Sequence, residues 1–300
     1  MGGKSILAVV VLYKITAEGS PAFQGVRVAL DSDASIQDAI DLMVCDNSPN
    51  LHSRPLGFSG LYVHDGKNEG LAKRYNLALN RALETGAAWL MLLDQDTRLN
   101  GSYLREAMEC AAALEKRDEV VAIVPKLMQG SHLLSPHVPQ YANASFRVDA
   151  SLAGILSVPL RVFNSGALLR VSRLEAIGGF PEHFWLDYLD HATFHLLQRD
   201  GGKIFVMDTV LQHELSSQSL AEKDGTSLRW RQWNTLEAAS DFYKRYGTRR
   251  ERNLHRLQMV RMALGAVKQG RYAYALRLFG TALGRRHPDH RASARDAVEG

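Results

Sequence analysis

Asp94 and Asp96, separated by Gln95, stand directly after the apolar run Trp89 to Leu93. Two carboxylates one residue apart on a loop after a buried strand can both reach one hard divalent cation, Mg²⁺ or Mn²⁺, that also touches two phosphate oxygens. A cation held there offsets the charge that develops on a leaving diphosphate. Alone the pattern is weak, because a solvated loop with a turn-stabilising aspartate gives the same letters.

The elements that would position this pair are legible on both sides of it. Ile6 to Tyr13, Asp41 to Cys45, Leu61 to His64 and Trp89 to Leu93 are short apolar runs, and each ends in polar or turn-forming residues. The second ends at Asp46-Asn47-Ser48-Pro49 and the third at Asp65 to Gly70. A helix fits Leu71 to Gly86, with Leu71, Tyr75, Ala78, Leu79 and Ala82 on one face and Gly86 as its stop. The alternation predicts an α/β fold with a largely parallel sheet, in which the carboxylates sit at a strand's carboxyl end, where open α/β sheets hold ligands. Val120 to Pro125, Gly166 to Val171 and Lys203 to Val210 read as further strands. Residues 130 to 160 are irregular, and parallel pairing becomes doubtful there.

Composition agrees with one large α/β domain or such a domain with an appendage: 300 residues, 46% hydrophobic and 23% charged, bury a sizeable core. Cys45 and Cys110 have no metal-ligand spacing, which argues against a disulfide framework or structural zinc and for a reducing, cytosolic compartment. The apolar run at Ile6 is too short and too β-branched for a membrane span or signal segment, and reads as a first strand.

Six segments stand in order along the chain: AVVVLYK, VCDNSPN, KNEGLAKRYNLAL, WLMLLDQDT, FNSGALLRVSRLEAIGGFPEHFWLDYLDHATFHLLQRDG and VLQHELS. Over about residues 5 to 217 this order resembles family 2 glycosyltransferases with the glycosyltransferase-A fold. Within that family it is most similar to bacterial rhamnosyltransferases. Their DQD motif and their FIDYVD-like phrase match Asp94-Gln95-Asp96 and Trp185 to Asp190. The resemblance implies a donor nucleotide whose pyrimidine base meets Asp46 and whose phosphates lie beside Asn68, Gly70 and Lys73. It implies a metal held by Asp94, Asp96 and His213, and Asp190 as the base that takes the acceptor hydroxyl's proton in a single inverting displacement. Asp187, three residues earlier, would share a helical face with Asp190 and orient the acceptor or raise its neighbour's pKa. Other readings stand beside these: an Asx turn for Asp46, an exposed helix lysine for Lys73, an N-cap for Asp187, and either a sugar-stacking or a core role for Trp185. Asn76 is expected to tie its helix to a neighbouring strand, and Asn164-Ser165-Gly166 to line the sugar site or make a turn. The chain departs from the family at Leu189, where many relatives carry Glu. It departs again at His195 to Arg199, where relatives usually show an arginine in the following helix.

From Leu228 the pattern turns helical, with Leu254, Leu257, Arg261, Leu264 and Val267 spaced for one helix and Tyr272, Ala275, Leu276, Phe279 and Leu283 for a second. Gly270 separates them. Lys244 to Arg291 carries thirteen Lys and Arg against Glu251 and Asp289, a local +11 inside a chain of net +4. We therefore expect a glycosyltransferase-A catalytic domain over 1–225 and a basic, amphipathic helical region over 226–300. That region would contact the inner face of the cytoplasmic membrane or form a homodimer interface; no nucleic-acid motif accompanies the charge. The expected activity is inverting sugar transfer from dTDP-L-rhamnose to a glycan or polyprenyl-linked glycan in bacterial cell-surface polysaccharide synthesis. The alternatives are the same machinery with UDP-galactofuranose or another UDP-hexose, and a catalytically silent glycan-binding or membrane-scaffold protein. A nucleotidyltransferase would want a Gly-rich loop where Tyr13-Lys14-Ile15-Thr16 stands.

Overall fold

Ile6–Leu12 is apolar at every position and forms β1, buried along its whole length as a strand covered on both faces must be. In this computed structural model, which describes residues 4–139, 141, 148–149, 151–212 and 225–284, the chain continues through helices α1 (Pro21–Ser32) and α2 (Ala34–Ala39) to β2 (Ile40–Asp46) and β3 (Leu61–His64). Then come α3 (Leu71–Thr85), β4 (Trp89–Asp94), α4 (Gly101–Ala113), β5 (Val120–Gln129), β6 (His132–Ser135) and β7 (Gly154–Leu156). The second half adds β8 (Ala167–Arg170), α5 (Val171–Ala176), α6 (Leu189–Arg199), β9 (Lys203–Gln212) and helices α7 (Gly225–Tyr246), α8 (Arg249–Lys268) and α9 (Tyr272–Ala282).

The sheet runs β3-β2-β1-β4-β8-β5-β9-β7, with β6 paired to β5. Its first four strands are all parallel, so their carboxyl ends form one crest. β8 enters antiparallel between β4 and β5, in line with the doubt about parallel pairing, whereas β9 pairs with β5 in parallel. Side chains cap the starts of α1 and α4, and a left-handed glycine ends α3. Ser20 caps α1 through Phe23 N–H (3.3 Å), Asn100 caps α4 through Tyr103 N–H (2.9 Å), and Gly86, left-handed at φ 73, ends α3.

The chain divides into two compact units, the sheet with its helices and the α7–α9 group. Among the described residues no helix is long and apolar enough to cross a membrane. The α7–α9 core is Trp233, Met259, Ala263, Ala266, Ala275, Leu278 and Ala282. The leucine periodicity therefore does not mark the packed seam: Leu257, Leu264, Val267, Tyr272, Leu276 and Leu283 are exposed. Alanines let α8 and α9 approach closely, and the larger side chains stay outside.

His255 is buried in this second unit, 2.8 Å from the Ser240 hydroxyl and beside the Tyr243 ring. Burial depresses its pKa from 6.5 to about 4. Between those values the unfolded chain binds a proton that the native unit does not, so stability falls as pH drops through this window. The protection factors of the α8 amides, measured against the intrinsic exchange rate at each pH, are expected to fall from pH 6.5 to 4, and His255→Phe is expected to flatten that dependence.

Candidate active site

β4 delivers the carboxylate turn. Leu92 pairs with Ala167 across the antiparallel junction, and the same register carried beyond the strand ends sets Ser165 beside Asp94. The Ser165 hydroxyl donates to the Asp94 carboxylate. Thr97 N–H donates to Asp94 O at 3.0 Å and closes the turn. Gln95 faces the β1 side: its Oε1 accepts from Tyr13 N–H at 2.8 Å and its carbonyl accepts from the Ser20 hydroxyl at 2.7 Å. The middle residue of the motif thus anchors the turn, leaving Asp94 half-buried and Asp96 exposed. The buried Thr97 Oγ1 and Asn164 Oδ1 have no hydrogen-bond partner among the described residues. Two hard carboxylates next to unsatisfied polar atoms fit a small divalent cation. Among the described residues, however, no three His, Cys, Asp or Glu side chains converge. A cation here would complete its shell with phosphate oxygens, water or residues outside that set. His213, the ligand implied by the resemblance, lies outside the described residues.

Asp46 ends β2. Leu12 is its register partner, while Val11 of β1 faces Asp94, so the two acids lie two strand spacings apart on the crest, roughly 10 Å. Asp46 is 1% exposed. Oδ1 accepts from Ser48 N–H (3.0 Å); Oδ2 takes the Tyr62 hydroxyl (2.8 Å), His52 N–H (3.3 Å) and His52 Nδ1 (3.0 Å). Burial opposes its charge, but the bonds from Ser48, Tyr62 and His52 outweigh it and hold the carboxyl below its ordinary value. The Asx-turn reading and a buried anchor are what the geometry displays.

The start of α3 places Arg74, and not Lys73, in the network of the β2 and β3 loops. Lys73 points outward and pairs with Glu69 at 2.7 Å, one turn back. Arg74 is buried: Nε donates to Asn47 Oδ1 (2.9 Å), and one terminal nitrogen donates to Asp65 Oδ1 (2.5 Å) and Lys67 O (2.8 Å). Asn68 Oδ1 accepts from Asn47 Nδ2 at 2.8 Å, so Asn68, Asn47, Arg74 and Asp65 form one network joining the β2 and β3 loops. Helical spacing carried the missed signal, since Lys73, two residues before the buried Tyr75, must lie on the far side. Arg74→Ala is expected to cost about 2–3 kcal/mol, as a buried network loses a charged donor. Lys73→Ala should be neutral, and urea unfolding of both variants distinguishes them.

Gly70 has φ 87, and its close neighbour is Trp185: a Cβ there would lie 2.4 Å from the indole Cδ1. Leu71 N–H donates to Trp185 O at 2.9 Å. Asn76 binds Phe180 at both its carbonyl (3.0 Å) and its N–H (2.7 Å). It thus ties α3 to the loop after α5 rather than to a strand. These contacts hang the 180–188 loop on α3.

That loop leads into α6 through Tyr188, a left-handed residue at φ 63. Lys14, at φ 55, is the other described non-glycine with positive φ, and it too sits in a loop of the crest, its N–H bonded to Ser48 Oγ at 2.9 Å. Such strain gathers at functional sites. Because Tyr188 breaks the helical path, Asp187 lies outside α6 and shares no helical face with Asp190. Asp190 occupies the first turn with its side chain 21% exposed. Its Oδ1 accepts from His191 N–H at 2.7 Å and lies 3.1 Å from His191 Nδ1. Burial resists its ionisation, yet the His191 imidazole and backbone N–H, with His137 beyond, hold its pKa below the usual value. His191 stacks on Phe163 with ring centroids 6.3 Å apart.

Tyr75 connects the two halves. It is fully buried in α3, and its phenol is kept protonated first by burial and then by the charges of Asp94 and Asp190. The charges of the strand-end aspartate and of the helix-start aspartate both act on this one side chain. Neither Tyr75 nor His191 stands out from the sequence by spacing alone.

No family model and no curated protein matches this chain. Among solved structures, S. aureus TarS 1–349 in complex with UDP-GlcNAc aligns with a TM-score of 0.52 at 15% identity, over 95% of this chain and 93% of that one. A second crystal structure of TarS 1–349 gives 0.50 at 14% identity with the same coverage. At such identities the likeness speaks for the fold: this chain has the mixed α/β architecture of glycosyltransferase-A proteins, with a helical C-terminal portion.

Proposed function

We propose that this protein is an inverting, metal-dependent glycosyltransferase that moves a sugar from a nucleoside diphosphate to an acceptor hydroxyl. The observation that carries the reading is the carboxylate turn itself: Asp94, gripped by the Ser165 hydroxyl, and the exposed Asp96 stand at the carboxyl end of β4, on the crest of the parallel strands. Asp94 and Asp96, with His213 by resemblance, would hold Mg²⁺ or Mn²⁺, which when bound supplies positive charge against the leaving diphosphate. Ser165 fixes the Asp94 carboxylate. The Asn47, Asn68 and Arg74 network shapes the loops beside the nucleotide. Asp190, ionised at neutral pH, accepts the proton of the acceptor hydroxyl as that oxygen attacks the anomeric carbon.

By resemblance the donor is dTDP-L-rhamnose and the acceptor a glycan or polyprenyl-linked glycan of a bacterial surface polysaccharide. A UDP-sugar is the second reading, favoured by the crystallisation of TarS, of similar fold, with UDP-GlcNAc. Thermal melts with dTDP, UDP and their sugars, each with Mg²⁺, Mn²⁺ or EDTA, test both, because a ligand that binds only the native state raises Tm. A rise that needs metal and disappears in Asp96→Ala supports the site. The nucleotide producing it selects the donor, and no rise with any nucleotide overturns the proposal.

A further inference from the structure

The outer surface of the α8–α9 hairpin combines two features that a solvent-facing helix pair does not need together. Leu257 and Leu264 stand two turns apart on the side of α8 opposite Met259 and Ala263, at 45% and 52% exposed. On α9, Tyr272, Leu276 and Leu283 are 65%, 71% and 75% exposed while Ala275, Leu278 and Ala282 fill the seam. A row of large apolar side chains left outside an alanine-built seam is unusual for a protein surface and marks an interaction site. Exposed cations are interleaved with this row: Arg250, Arg256, Arg261 and Lys268 on α8, Arg271 just before α9, and Arg277 within it. Glu251 is the single acid between Arg249 and Gly284.

We propose that this face docks on an anionic phospholipid surface, with the leucines and Tyr272 entering the headgroup boundary and the guanidinium and ammonium groups meeting lipid phosphates. Three physical arguments select that occupant. Arginine and lysine stems beside the leucines can bury their methylenes at the same depth while their heads stay at the phosphate plane. Clustered basic side chains next to an apolar strip gain from both the surface potential and apolar burial at such a boundary. A second copy of the same face would set like charges against each other, and a nucleic acid would leave the leucines in water. The proposal goes beyond sugar transfer and does not depend on it.

Sedimentation of the full chain with vesicles of phosphatidylglycerol and phosphatidylcholine tests the proposal, with pure phosphatidylcholine vesicles alongside. The substitutions fall at exposed positions, so the fold should survive them, and a circular-dichroism melt of each variant checks that. The expected result is binding to the anionic vesicles that weakens as salt rises. Binding should weaken at least about tenfold in Leu264→Gln/Leu276→Gln and again in Arg261→Glu/Lys268→Glu. Equal binding by wild type and the folded leucine variant overturns the proposal, as does absence of binding to anionic vesicles. A dimer in sedimentation equilibrium, abolished by the leucine substitutions without any vesicle binding, reassigns the face to self-association. RNA binding that ignores the leucines but needs Arg261 and Lys268, again without vesicle binding, reassigns it to nucleic acid.

Discussion

Asp190→Asn is expected to lower kcat by about 10²- to 10⁴-fold, the range a positioned general base contributes, with little change in donor KM or Tm. The substitution keeps shape and leaves an amide oxygen to accept the His191 N–H bond now made at 2.7 Å, but removes the proton acceptor. The charged form of Asp190 survives burial because His191 favours it, so its pKa is depressed from 3.8. For a depressed carboxylate, the stabilised charge is present above the unfolded value and is lost only as pH falls through the lower folded value. The acid limb of kcat/KM assigned to Asp190 should therefore lie below pH 3.8 in the wild type. In His191→Phe, where an aromatic ring can keep the stack on Phe163 but not the imidazole, that limb should move to higher pH. The reaction is followed by release of nucleoside diphosphate from the donor that the melts select. If Asp190→Asn turned over within tenfold of wild type while Asp187→Asn did not, the base would be Asp187 and the present assignment would fail.

What the sequence disclosed and what it withheld divide along physical lines. Apolar runs report strands that are buried on both faces, so β1, β2, β4 and β5 and the crest on which Asp46 and Asp94 stand follow from periodicity, while the half-exposed edge strand β3 follows from its turn residues. A four-residue strand such as Ala167–Arg170 does not report its partner, and its antiparallel insertion beside β4, which brings Ser165 to Asp94, emerges only in three dimensions. Side-chain direction was the harder inference. At the start of α3 residue type does not tell Lys73, exposed and paired with Glu69, from Arg74, buried in the network of the β2 and β3 loops. At Asp187 spacing predicts a helical face shared with Asp190, but Tyr188 leaves the helical region altogether. In α8 and α9 the leucine stripe is real, but close packing through alanine turned it outward. In each case spacing gave the periodic pattern correctly, and neighbours distant in sequence decided which face was buried.

Gly70→Ala is expected to be far more damaging than Gly86→Ala, although both replace a positive-φ glycine flanking the same helix. Gly70 sits at φ 87, ψ 173, a region essentially reserved for glycine, and strain of that kind costs of order 1–3 kcal/mol. Its added Cβ would also meet Trp185 at 2.4 Å (Cδ1), 2.6 Å (Nε1) and 2.6 Å (carbonyl O). The indole can swing away, but the carbonyl is held by Leu71 N–H, so relief requires the 180–188 loop to lift. That loop carries Asp187 and leads directly into Asp190. Gly70→Ala should therefore reduce both Tm and kcat, the latter through displacement of the base rather than its chemistry. Gly86 is left-handed at φ 73 with nothing within 4 Å of the added carbon. Its substitution should cost about 1–2 kcal/mol of conformational strain and leave kcat unchanged. Adding Trp185→Ala to Gly70→Ala removes the clash with the ring but not the one with the carbonyl. The double variant should thus regain only part of the lost stability, and the coupling energy from the four-variant cycle measures the ring's share. If Gly70→Ala melted with Gly86→Ala and kept wild-type kcat, Gly70 would not be the hinge on which the base is hung.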